Sequence, residues 1–216
     1  MKKHLSIAIA GILALSAPNI AKAQISYTLA SNGLPSFSNP TLETFDEPSP
    51  SILTLSGSAY LLTGSSSVGS TPFFYGSTAS YFGEPVDSSG FDASQYVAVD
   101  PGGSARLSFA TPENYLGILW GSVDPSDTLT FYDSANNVIG AVTSNDFGNL
   151  ISSFNGWNTI YVNFTSTTPF SSVVATTSTP AFEFDDVAYA PVPEPSTLGL
   201  LAFGMFGITL LRRHQR

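Results

Sequence analysis

The chain has 216 residues, 43% of them hydrophobic and 12% aromatic, enough for one domain with a sizeable buried core. Its formal net charge of −9 and isoelectric point near 4.3 exclude the basic surface that a nucleic-acid partner requires. Placement excludes more: residues 24–195 hold all sixteen acidic residues against one cation, Arg106, for a local balance of −15, with no lysine, histidine or cysteine. A Ser-His-Asp triad, a Cys-His pair, a lysine Schiff base and a His/Cys zinc site are therefore impossible in that stretch.

At the amino end, Met1-Lys2-Lys3-His4 is basic and residues 5–17 are apolar apart from Ser6 and Ser16. Ala21-Lys22-Ala23 then has the small-x-small pattern of a signal-peptidase site. Residues 1–23 read as a secretory signal peptide, and the mature chain is expected to begin at Gln24.

Residues 24–190 are rich in Ser, Thr and Gly, and no stretch sustains a helical period with caps. Residues 31–95 carry few strand signals, and Ser/Gly runs such as 63–67 read as surface loops. Strands are predicted over 96–99 and 105–109, joined by the turn Asp100-Pro101-Gly102-Gly103. Another runs over 115–120, with Leu116, Ile118 and Trp120 on one face. Residues 128–132 and 138–142 form a hairpin around the loop 133–137, with Tyr132 outward. The strand 159–164 buries Ile160, Val162 and Phe164 and exposes Tyr161 and Asn163. In the last strand, 181–189, Phe182 and Phe184 have one parity and Val187 and Tyr189 the other, which predicts a β-bulge at Asp185-Asp186. The whole reads as all-β: an antiparallel β-sandwich of jelly-roll type.

Three constellations can carry chemistry. Glu43 and Asp46 near the start, and Glu183, Asp185 and Asp186 at the end, can converge if the first and last strands pair, offering oxygen ligands to calcium. Trp157, in Asn155-Gly156-Trp157-Asn158, can stack on a sugar ring, with Tyr132 and Tyr161 extending the platform. Asp124 with Asp127, or Glu183 with Asp185, are formal carboxylate pairs for glycoside hydrolysis. No histidine, lysine or cysteine lies within residues 24–195 to assist them, so the expectation is a protein that is not an enzyme.

At the carboxyl end, Val192-Pro193-Glu194-Pro195-Ser196 precedes an apolar run of 14 residues, 198–211, that contains Gly199, Gly204 and Gly207. Arg212, Arg213 and Arg216 close the chain. As a helix the run would span about 21 Å at ~1.5 Å per residue, short of the ~30 Å hydrocarbon core. The arginines would remain cytoplasmic by the positive-inside rule. Pro193 and Pro195 keep the motif extended, as a protease substrate must be.

This order of motif, apolar segment and basic tail over 191–216 resembles the PEP-CTERM sorting signal of Gram-negative bacteria. The resemblance implies recognition of the Pro-Glu-Pro element by exosortase, a membrane protease, after transient insertion of the tail in the inner membrane. It also implies a final place at the cell surface or in the extracellular matrix, beside exopolysaccharide. The runs 114–124, 127–132 and 182–189 resemble ectodomains of exosortase-dependent surface proteins and, more distantly, jelly rolls of carbohydrate-binding modules. The function expected is a non-catalytic structural or adhesive matrix component. The alternatives are a carbohydrate-binding module that grips the exopolysaccharide and, last, a secreted glycoside hydrolase.

Overall fold

The computed structural model describes residues 25–30, 33–46, 53–64, 81–83, 93–121, 123–153 and 159–191. The expected signal peptide, Trp157 and the tail from Val192 onward lie outside them. Among the described residues, ten strands make up almost all of the regular structure: β1 (Ile25–Ala30), β2 (Thr41–Glu43), β3 (Leu53–Gly57), β4 (Tyr60–Thr63), β5 (Gln95–Val99), β6 (Ser104–Gly121), β7 (Thr128–Tyr132), β8 (Val138–Thr143), β9 (Ile160–Thr176) and β10 (Phe182–Ala190). A short 3-10 segment, Ser144–Ser153, follows β8.

Two strands are long enough to serve both halves of the molecule. The second half of β6, from Tyr115 to Trp120, pairs with the first half of β9 and with β10. The first half of β6, from Ser104 to Ser108, pairs with the end of β9 and with β3. One half of the sheet therefore runs β4-β5-β10-β6-β9-β1, and β2 follows β5 along the same edge of β10. The other half runs β3-β6-β9-β7-β8. The register between β6 and β9 breaks between Ser108 and Tyr115, where Ala110, Thr111 and Pro112 are exposed. Such breaks let a strand bend from one layer into the next.

The core lies between the halves. Phe131 of β7 meets Phe164 of β9 at 5.5 Å, and Phe109 meets Tyr189 of β10 at 5.1 Å. Trp120 is fully buried, stacked on Phe182 at 4.5 Å with Phe147 against its edge. Each such aromatic contributes roughly 1.5–3 kcal/mol through apolar burial. The arrangement is all-β and sandwich-like, as the sequence pattern implied.

Several predicted details are present. Gly103 N–H donates to the Asp100 carbonyl at 2.8 Å, and Gly102 sits at φ 77°, which closes the predicted turn. The β7–β8 hairpin turns where expected, with Asp133 accepting from the amides of Ala135 and Asn137. The β10 bulge is found: its register against β6 slips between Asp185 and Ala188, and Asp186 adopts φ 51°. As a result Phe182, Phe184, Val187 and Tyr189 all reach one core despite their opposite parities.

Other details differ. The predicted strands 105–109 and 115–120 are one strand, and 159–164 extends to Thr176 through Pro169. The expected exposure of Tyr161 and Asn163 is wrong: both are buried. A second layer covers the outer face of the β10-β6-β9 half. There Phe82 and Leu42 pack on Leu119 and Tyr161, and Phe37 packs on Tyr115. That face needs space as well as cover. A Cβ at Gly117 would lie 2.6 Å from the Tyr161 hydroxyl and 2.7 Å from that of Tyr115, so the two rings cross where only glycine fits.

Candidate functional site

The strand that leads to the carboxyl-terminal motif is buried along its whole length. Every residue of β10 is covered, and Pro191, exposed, is the first residue beyond it. β10 is held on one edge by β6 and on the other by β5 and β2. The expected pairing of an opening with a closing strand is thus present as β2–β10. Whatever is attached after Ala190 is anchored to the interior of the sheet.

The pairing brings Glu43 opposite Val187, but the five acids proposed from sequence are divided by the sheet. Residues directly opposite in an antiparallel pair share a face, so Glu43 lies on the core face with Val187 and Tyr189. Glu183 and Asp185 alternate with the core residues Phe182 and Phe184, which puts them on the outer face. There Asp185 Oδ2 accepts from Ser94 Oγ at 3.4 Å, and Asp185 Oδ1 accepts from the Asp186 amide. Asp186 sits in the bulge, and its carbonyl accepts from the Tyr161 hydroxyl at 2.9 Å. Asp46 Oδ1 accepts from the Gln95 amide at 3.0 Å, tying the segment after β2 to the start of β5. Among the described residues, no group of three or more His, Cys, Asp or Glu side chains is placed to hold a metal ion.

The proposed aromatic platform is also dispersed. Tyr161 is enclosed, and burial pushes its phenol well above the ordinary value. Tyr132 is half-buried with the Arg106 guanidinium 4.8 Å above its ring. Arg106 also donates to Ser172 Oγ at 2.5 Å and to Asn136 Oδ1 at 3.3 Å. The one cation among the described residues therefore clips β6 to β9 and to the β7–β8 hairpin.

The pair Asp124 and Asp127 has a structural task. Asp127 is fully buried, and its Oδ2 accepts from Trp120 Nε1 at 3.2 Å and from the Asp124 amide at 3.0 Å. The Asp127 amide returns a bond to the Asp124 carbonyl. Burial raises Asp127 to about 6, partly offset by these hydrogen bonds, and burial also raises Asp124. One carboxylate thus closes a turn and fixes the central indole.

Two features escaped the sequence reading. Asn163 Oδ1 accepts from the Tyr115 hydroxyl at 2.5 Å and from the Ser36 amide at 2.8 Å, which pins the second layer to the sheet. Glu113 is buried on the core face opposite Phe170, although it falls between the predicted strands 105–109 and 115–120. Its flanking Pro112 and Asn114 gave no signal of burial.

A family model described as the PEP-CTERM protein-sorting motif matches residues 191–214. The chain carries this motif, which begins at the residue after β10 and includes Val192, Pro193, Glu194, Pro195 and Ser196. The motif supports exosortase-dependent sorting of an exported protein. It implies a precursor that passes through the membrane on its way to the cell surface. No curated protein matches the chain.

Proposed function

We propose that this is a non-catalytic surface or matrix protein, exported, clipped by exosortase at its carboxyl-terminal motif, and retained beside exopolysaccharide as a structural or adhesive component. The observation that carries the reading is the sorting motif placed directly after the last strand of a folded β-body. The β2–β10 pairing favours a jelly-roll body, whose opening and closing strands lie side by side. The non-catalytic part is supported by what the carboxylates do. Asp127 caps a turn, Asp46 ties a loop, and Asp185 bonds within the covered outer face. Tyr161 is buried and Tyr132 carries Arg106, which supports this reading over the sugar-gripping alternative.

The test replaces Pro193, Glu194 and Pro195 together with alanine in a host that makes exosortase. The wild-type chain is expected in the surface and medium fractions, and the triple variant in the membrane fraction. Identical fractionation of the two would contradict the sorting role.

A further inference from the structure

The first and last strands of the β-body open at the same end of the sheet. One row of opposed residues crosses four strands: Ala190 of β10 faces Tyr115 of β6, Tyr115 faces Thr165 of β9, and Thr165 faces Ser26 of β1. Three strand spacings of ~4.8 Å put the end of β10 about 14 Å from the start of β1. The Ser26 and Thr165 hydroxyls bond at 2.8 Å, which closes the row at its outer strand. The row borders the bend of β6, so both chain ends leave beside that corner.

Charge is unevenly placed along the strands. At the corner end the exposed residues Ala110, Thr111, Pro112, Thr165, Pro169 and Pro191 carry none. One acid, Asp133 of the β7–β8 loop, lies toward this end, and its carboxylate is bonded to the amides of Ala135 and Asn137 and to the Asn137 side chain. The other end carries Asp100, Asp124, Asp127 and Asp146, in the β5–β6 turn and the segments after β6 and β8. Carboxylates are repelled by an anionic lipid surface, so the corner end is the one that can approach it.

The tethers have little slack. Residues 191–197 separate Ala190 from the apolar run that starts at Leu198, and residues 18–24 separate Ile25 from the apolar stretch of the expected signal peptide. Each is seven residues, which reach at most about 25 Å at ~3.3–3.6 Å per residue. Had β1 and β10 opened at opposite ends, one tether would have to run back along the nine residues of β10, about 30 Å of strand. Seven residues cannot span that and also reach a bilayer. With both openings at one end, two short tethers can enter the bilayer side by side while every strand stays paired.

We propose that the corner end is the membrane-facing end of the precursor: the β-body stands end-on over the lipid bilayer, completes its sheet while held at both ends, and loses its tail as an already folded body. The inference rests on the export reading and extends it to the orientation of the body and the order of events. β1 pairs with β9 before either end is released.

The test uses the full chain with both terminal segments, made cell-free with vesicles of phosphatidylcholine and phosphatidylglycerol and no peptidase. The chain has no cysteine, so a single dye can be placed at Ala110→Cys, on the corner, or at Ser178→Cys, exposed beyond the far end of β9. Energy transfer to acceptor-labelled lipid headgroups is expected to be several-fold stronger from position 110. Equal transfer from both positions, or stronger transfer from 178, would overturn the orientation. Hydrogen exchange on the unsubstituted vesicle-bound precursor tests the order of events. The β1 amides that bond β9 are expected to be protected while both ends are uncut; exchange of these amides at the rate of an unpaired strand would overturn it. Neither reading involves exosortase, so a failure here is distinguishable from a failure of sorting, which is read from cell fractions.

Discussion

The Tyr161 hydroxyl donates to the carbonyl of Asp186 across 2.9 Å, joining β9 to the bulge of β10. The bond stabilises the residue that lets β10 switch parity. Both partners are buried, so no solvent replaces it when it is lost. Tyr161→Phe is expected to cost about 1–3 kcal/mol, because the carbonyl is left unsatisfied. Urea unfolding should show a lowered midpoint with an unchanged slope.

Gly117 lies beneath the same tyrosine. A Cβ there would come 2.6 and 2.7 Å from the hydroxyls of Tyr161 and Tyr115. Gly117→Ala is expected to destabilise by roughly 1–3 kcal/mol through overpacking. Combined with Tyr161→Phe, the two losses should sum to less than their separate values, since each disturbs the same contact. Full additivity in a double-mutant cycle would contradict the crossing of the two rings above Gly117.

Asp127 gives a pH signature of stated sign. Its folded value is raised to about 6 from the ordinary 3.8, so the native state holds the proton more tightly than the unfolded chain. Its contribution to stability is greatest below the unfolded value and is lost as pH rises through 6. The swing is at most about 3 kcal/mol, from ~1.4 kcal/mol per unit. Asp127→Asn keeps an acceptor for Trp120 Nε1 and the Asp124 amide. It is expected to match the wild type near pH 4 and to exceed it at pH 8. A difference between the two that does not change with pH would contradict the assignment.

Arg106 should act as a clip rather than as a surface charge. Its guanidinium bonds Ser172 and Asn136 and covers Tyr132. Arg106→Ala is expected to lower stability by about 1–2 kcal/mol, and Arg106→Lys to recover only part of it, because both hydrogen bonds leave one nitrogen, Nη1, while the stack on Tyr132 needs the planar guanidinium. Equal stability of the lysine variant and the wild type would contradict this.

How far the sequence could be read depended on which faces met solvent. The Asp-Pro-Gly-Gly turn, the β7–β8 hairpin and the parity flip in β10 were legible because each rests on local chemistry. Trp120 was legible as core from its alternation with Leu116 and Ile118. Tyr161 and Asn163 were misread because the alternation rule assumes one wet face, whereas the layer of Phe37, Leu42 and Phe82 covers the other. Glu113 was hidden for another reason: it falls between the two predicted strands, at the register break of β6 against β9. The five-acid grouping was drawn from strand order alone, and the β10 bulge with its parity switch separates Glu43 from Glu183 and Asp185. The sorting motif was the most legible part, since its signal lies in contiguous residues and requires no tertiary contact.

The central claim is that the carboxyl-terminal segment is removed and the β-body delivered outside. It is tested most directly by intact-mass spectrometry of the protein recovered from the outside of an exosortase-bearing host. The predicted mass is that of a chain starting at Gln24 and ending near Pro195. Recovery there of a species that still carries the apolar run and the terminal arginines would contradict the claim.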